Sequence, residues 1–284
     1  MGIPFSDLVN VGRPLDTDFL AVLRGTEVVR TQMPKARLGG VSDIYVSPSG
    51  SDETGDGTES SPWLTLQKAA DFAYQFCDAL TTVHVADGVY TTGCTTYGHP
   101  DGDTRGIIIA GNDAHPENVH LNCVGNCLTT SGGYLAIKGI KMSSTNGSAL
   151  TAAAAGRIRS IGAVEFGACP NGFHTISGQS SSIELGQSYK ISGGARSHLY
   201  MWEGGTVSNV SVTVTLVNTP NFTYSFAGGY NCGNIAAWGT TYVGAATGTR
   251  YYVYNNATIN VAGGGANYFP GSVAGSYASG GSYA

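Results

Sequence analysis

The sequence predicts an all-β protein wound as a parallel solenoid, and three observations point there: a glycine-rich, weakly charged composition, a long run of short strands without helices between them, and a motif that recurs at a fixed interval. The 284 residues include 42 Gly, with 12% charged and 42% hydrophobic residues. That balance excludes disorder and suits compact β structure better than helix. The length is large for one ordinary core, but solenoids exceed the usual domain size, so one elongated domain with a short appendage accommodates it.

Taken in order, Leu15 to Thr31 reads as two short strands around a Gly-containing turn, with Pro34 and Gly39-Gly40 marking the exit. A two-stranded unit of this size is marginal alone. It is either a module that packs on a partner or a loosely held leader. Next come a strand from Ile44 and a Gly/Ser/Asp loop. Thr65 then caps a helix to about Ala79, with Leu66, Ala69, Ala73 and Phe76 on one face. This is the one convincing helix in the sequence, and its apolar face is suited to closing the exposed end of a sheet stack.

From Val83 onward, short apolar runs alternate with Gly, Asn and Ser: Val83 to Ala86, Ile107 to Ala110, Val119 to Leu121, Leu135 to Ile140 and Arg157 to Ile161. Strands joined by turns exclude βαβ units and leave a sandwich, a barrel or a solenoid. Repetition decides among them. Val164-Glu165-Phe166-Gly167, Ile183-Glu184-Leu185-Gly186 and Met201-Trp202-Glu203-Gly204 lie nineteen residues apart, with irregular echoes at Tyr224, Tyr242 and Val261. A period of that length matches one coil of a parallel solenoid.

Charge is uneven: the net is +1 over residues 1–40, −10 over 41–117 and +4 over 118–284. No basic stripe with interleaved aromatics exists, which argues against nucleic-acid binding. No run of 18 apolar residues occurs and the first ten residues lack a signal pattern, so neither secretion by a leader nor membrane insertion is expected. The six cysteines are scattered and read as buried free thiols. Asp52, Asp56 and Glu59 lack the alternation of a calcium loop, and His99, Asp101 and Asp103 read as solvated turn residues. The sequence therefore implies no metal and no cofactor.

Ile44 to Pro48, Gly50 to Asp52, Gly55 to Thr58 and Pro62 to Ala70 together resemble the opening of phage proteins that carry the pectate-lyase-like right-handed β-helix. The segment Tyr268 to Tyr283 resembles the Pro-Gly, Ala-Gly, Gly-Gly tail of phage tail spike and fibre proteins. The two matches cover about 45 residues. The resemblance implies a homotrimeric tailspike in the virion tail, made in the host cytoplasm, that binds a host surface polysaccharide or lipopolysaccharide. On the same basis residues 1–40 form a particle-binding adaptor to other tail proteins, residues 41–221 the β-helix, and residues 222–284 the last coils and a trimerisation tail. The superfamily includes lyases, hydrolases and pure binders, so fold alone leaves activity open. A structural tail protein without host contact is the competing reading.

Two groups of residues bear on chemistry. After Glu117 the chain has no Asp and three Glu, all in the recurring motif: Glu165, Glu184 and Glu203. Strand alternation sends Glu165 and Glu184 outward, and on stacked strands about 4.8 Å apart the three would form a ladder at the spacing of a glycosidase acid and base. These are the candidate catalytic residues, against the alternative of a solvent-facing polar position that simply repeats. Arg196, His198, Tyr200 and Trp202 crowd one motif beside Glu203 and are the candidate substrate-binding residues, against that of a polar coil edge. Eleven of the sixteen Tyr lie beyond residue 188, a surplus suited to glycan stacking and to subunit contact alike.

Overall fold

The computed structural model describes residues 19–24, 27–32, 43–77, 80–98 and 106–284. Most of the expected adaptor, the exit at Pro34 and Gly39-Gly40, and the loop bearing His99, Asp101 and Asp103 lie outside these residues. Phe19–Arg24 and Glu27–Gln32 pair as the antiparallel hairpin expected from the sequence.

The main body is an all-β parallel solenoid of about eight coils, with one α-helix among the described residues. Each coil contributes strands to three sheets in turn, of ten, seven and nine strands, here called the first, second and third faces. Inward positions stack like on like. On the first face Ile107, Leu135, Ile158, Ile183, Val207, Ile235 and Ile259 lie in one parallel register. On the second, Tyr90, Leu121, Met142, Phe166, Ile191 and Leu216 do the same. Each buried aliphatic contributes about 2 kcal/mol, so these columns carry the stability of the fold.

The coil repeat corrects the nineteen-residue rhythm. Successive members of the first-face column are 23 to 28 residues apart. A nineteen-residue step is shorter than a coil and carries the chain from one face to another. The true period is legible in the turn that follows the third face, where left-handed backbone recurs at Ala154-Ala155, Gln179-Ser180, Glu203-Gly204, Asn231-Cys232, Asn255-Asn256 and Ser279-Gly280. Asn tolerates that conformation better than most residues, and Asn255 Nδ2 donates to Asn231 Oδ1 of the coil below at 3.0 Å.

Helix α1, Leu66–Phe76, starts where the sequence places it, with the Thr65 hydroxyl accepting from the Lys68 amide. Asp52 reinforces this start by accepting from the Leu64 and Thr65 amides. Leu66, Ala69, Ala73 and Phe76 are buried against the first coils, and the helix ends at Cys77, short of the expected Ala79. All six cysteines are free thiols; five are buried, but Cys232 is exposed because it occupies one of the left-handed turns.

Candidate functional site: an aromatic face and a charged column

The three glutamates do not form a ladder. Glu165 stands on the second face, in register with Lys141 below and Lys190 above. It does point away from the core, as alternation requires, yet it is buried: Lys141 Nζ lies 2.9 Å and Lys190 Nζ 2.7 Å from its carboxylate, and Ser192 Oγ donates to it at 2.5 Å. Burial pushes its carboxyl up, but the hydrogen bonds from Lys141, Lys190 and Ser192 outweigh this and hold it at about 2. It is an ion-paired base, not a proton reservoir. Glu184 stands on the first face, opposite Arg159 and 3.2 Å from its guanidinium. Glu203 stands in a turn with φ of 47°, because its neighbours in the stack are turn residues.

His198 is also relocated. The sequence places it beside the substrate, whereas its ring is fully buried among Phe166, Phe222 and Phe226. The physical reason is an irregularity of register between Ala195 and Ser197, which breaks the in-out alternation so that Ser197, His198 and Leu199 are all buried. Its hydrogen bonds define a direction. His174 Nε2 must donate to the Gly167 carbonyl at 2.9 Å, so its Nδ1 accepts from His198 Nδ1 at 3.1 Å. His198 Nε2 then accepts from the Tyr189 hydroxyl at 2.6 Å, which in turn accepts from Asn209 Nδ2 at 3.2 Å. Burial holds both imidazoles well below their ordinary range, His174 at about 3, so the chain is neutral. This network belongs to the core.

Arg196, Tyr200 and Trp202 do reach the surface, on the third face. The Arg196 guanidinium lies over the Phe173 ring at 5.2 Å, and Phe173 stacks on Tyr200 with centroids 4.3 Å apart. Tyr224 meets Tyr200 edge-on at 6.1 Å and Tyr252 at 5.5 Å. Gly228 makes room for this run: it stands in register between Tyr200 and Tyr252, and a β-carbon there would lie 2.9 Å from the Tyr200 ring. A second column runs beside the first. Trp202, Tyr230 and Tyr254 follow the third-face strands in successive coils, with Tyr230 and Tyr254 stacked at 5.3 Å. Tyr252 and Tyr254 lie parallel at 6.2 Å and join the two. Gly178 below Trp202 leaves space for its indole.

All seven aromatic side chains are partly exposed. Among the described residues, none of the hydroxyls of Tyr200, Tyr224, Tyr230, Tyr252 and Tyr254 has a hydrogen-bond partner, whereas the hydroxyls of Tyr90, Tyr189, Tyr242, Tyr268 and Tyr283 all do. Sequence reasoning found Arg196, Tyr200 and Trp202 but missed Phe173, Tyr224, Tyr230, Tyr252 and Tyr254 as one surface. The missing signal was the period: at 24 to 28 residues, Trp202, Tyr230 and Tyr254 align.

Fold and site together define a parallel β-solenoid with an open aromatic face. No protein-family model matches the chain, and no curated protein matches it. Among solved structures, a rhamnogalacturonan lyase is similar over 86% of this chain at 14% identity and a TM-score of 0.30. The chain spans 62% of that structure's length, and a likeness at that score defines neither fold nor activity.

Proposed function

We propose that this protein binds an extended surface polysaccharide of a host cell across its third face, as the attachment protein of a viral tail. The observation that carries the glycan reading is the run Phe173, Tyr200, Tyr224 and Tyr252, flanked by Trp202, Tyr230 and Tyr254, with open hydroxyls along it. Sugar rings present apolar faces edged by hydroxyls, and tyrosine offers the matching pair of surfaces, a flat ring and a polar tip. An open row that runs from coil to coil is suited to a chain ligand rather than to a small molecule, which prefers a concave pocket.

The attachment role rests on the sequence resemblance of Ile44 to Ala70 and Tyr268 to Tyr283. The right-handed sense of the coil, the homotrimer and the adaptor over residues 1–40 belong to the same reading. Contacts of α1 with Asp43–Val46, Thr81–Val85 and Cys94–Tyr97 support its role as the cap of the first coils. Exposed Trp238, Val243, Val273 and Tyr277 support subunit contact through residues 222–284. Light scattering on the full chain tests this part: three chains per particle are expected, and a monomer at micromolar concentration would remove it.

Binding is favoured over cleavage because acid and base must flank one bond, and of the three glutamates Glu203 alone adjoins the aromatic face, through Trp202. The test is capture of the purified chain on host lipopolysaccharide or capsule, with analysis for reducing ends and unsaturated sugars. Joint replacement of Tyr200 and Tyr252 by Ala is expected to weaken binding by roughly 10- to 100-fold, the range for truncating aromatic anchors. Unchanged binding in a folded double variant would refute the assignment of this face.

A further inference from the structure

We infer that the cleft around Arg250 is an anion-binding subsite, built for the carboxylate or phosphate of an acidic sugar residue. Arg250 is the one Lys or Arg in residues 222–284, a segment with no Asp or Glu. Its Nε is buried, and among the described residues no acceptor pairs with it. Four other cations of the coils are engaged, Lys141 and Lys190 by Glu165, Arg159 by Glu184 and Arg196 by the Phe173 ring, while Arg157 stands exposed to solvent and Lys138 partly so. The Nε is closed to water, but Arg250 as a residue is only partly buried and lines the cleft, with no carboxylate nearby to neutralise its charge, so an oxyanion in the cleft would meet an uncompensated guanidinium.

The surroundings fit such a ligand. The cleft holds about 290 Å³ and is lined by Arg250, Asn267, Tyr242, Phe269 and Pro270. Asn267 brings an amide that both donates and accepts, while the partly exposed Tyr242 and Pro270 offer apolar surface to a pyranose. The arginine is held from two sides. Its backbone amide donates to the Val273 carbonyl at 3.0 Å, and Gly271 lies so close that a β-carbon would sit 3.0 Å from Arg250 Cγ. Arg250 precedes Tyr252 by two residues, and two residues of extended chain span about 7 Å, so the cleft adjoins the end of the aromatic face. That the anion is carried on a sugar rests on the glycan reading above; that Arg250 binds an anion does not.

The experiment is arginine modification by phenylglyoxal on the unmodified full chain, read by peptide mass spectrometry with D-glucuronate, D-glucose 6-phosphate or D-glucose present. Glucuronate or glucose 6-phosphate is expected to slow modification of Arg250 by about fivefold or more relative to glucose, with Arg196 and Arg157 unaffected, as a charge-assisted fork contact requires. Protection by glucuronate alone assigns a uronate, and by glucose 6-phosphate alone a phosphorylated sugar. Equal reactivity of Arg250 in all three sugars would overturn the proposal. A parallel thermal-shift titration with R250K, which keeps the charge and loses the fork, is expected to lose the stabilisation that the effective anion gives the parent. Retention of that stabilisation would also overturn it. Protection of Arg250 with no binding of host polysaccharide would leave the anion site standing and remove the glycan reading.

Discussion

The second and third faces of the solenoid are built by the same rule and end in opposite states. Both stack outward residues at one strand spacing, coil upon coil. On the second face the outward column is His120, Lys141, Glu165 and Lys190, and it closes on itself: the central carboxylate is covered by two ammonium groups and a hydroxyl. On the third face the outward rings touch one another but leave their hydroxyls open. Stacking alone is therefore not a sign of function. A column whose members satisfy each other holds the coils together, and a column that leaves valence unspent is available to a ligand.

The largest expected effect breaks the closed column. Glu165→Gln keeps the shape and leaves Lys141 and Lys190 facing each other across a neutral amide; because both lysines are partly exposed and screened by water, a loss of about 2 kcal/mol, below that of a fully buried pair, is expected in urea denaturation. Polysaccharide binding by the folded fraction should not change. A loss of stability below about 1 kcal/mol would make this an ordinary surface pair, and a loss of binding would move the site to the second face.

Acid sharpens the contrast between core and surface. Because burial depresses the folded-state values of both histidines, His174 and His198, their contribution is complete above about 6.5, where the unfolded chain is also neutral, and falls as the pH drops below that, for His174 towards about 3. Protonating His174 sets two Nδ1 donors against each other, and protonating His198 turns its Nε2 into a donor facing the Tyr189 hydroxyl. Protonation of His174 should remove up to about 1.4 kcal/mol per pH unit within its window, and His198 acts in the same direction. Glu165 acts lower: its stabilisation is present above its unfolded value of 4.5 and is lost as pH falls towards about 2. Denaturation midpoints between pH 7 and 4 measure the first window, and replacing His174 by Asn should flatten it. A midpoint independent of pH from 7 to 5 would mean that the core network is hydrated.

The smallest effect tests the aromatic run through a residue that touches no ligand. In Gly228→Ala the new methyl meets the Tyr200 ring at 2.9 Å and Ser225 Oγ at 3.0 Å, so the ring must move. Binding should weaken by a few fold, with a loss of about 1 kcal/mol of stability, since the methyl is pressed between the Tyr200 ring and the buried Ser225 hydroxyl. Equal affinity for the parent and this variant would show that the ring positions are not matched to the ligand.

Much of the architecture was legible from local chemistry. Thr65 and the apolar face of Leu66, Ala69, Ala73 and Phe76 announced α1, and the short apolar runs from Val83 announced strands, because capping and patterning are local properties. The site was legible only in part. Arg196, Tyr200 and Trp202 were found as neighbours in sequence, but Tyr224, Tyr230, Tyr252 and Tyr254 join them only through the coil repeat, which turns of unequal length obscure. The same error of period set Glu165, Glu184 and Glu203 in one ladder. His198 was misplaced for a different reason: a bulge reversed the direction of one side chain, and nothing in Arg196 to Trp202 marks it.

The most direct test of the contrast is hydroxyl-radical footprinting of the full chain with and without the polysaccharide it binds, read by mass spectrometry at single residues. Shielding is expected at Phe173, Tyr200, Trp202, Tyr252 and Tyr254, with Lys141, Lys190 and the exposed Tyr97 unchanged. Shielding concentrated on the Lys141 to Lys190 column, with the third-face rings as reactive as before, would contradict the account.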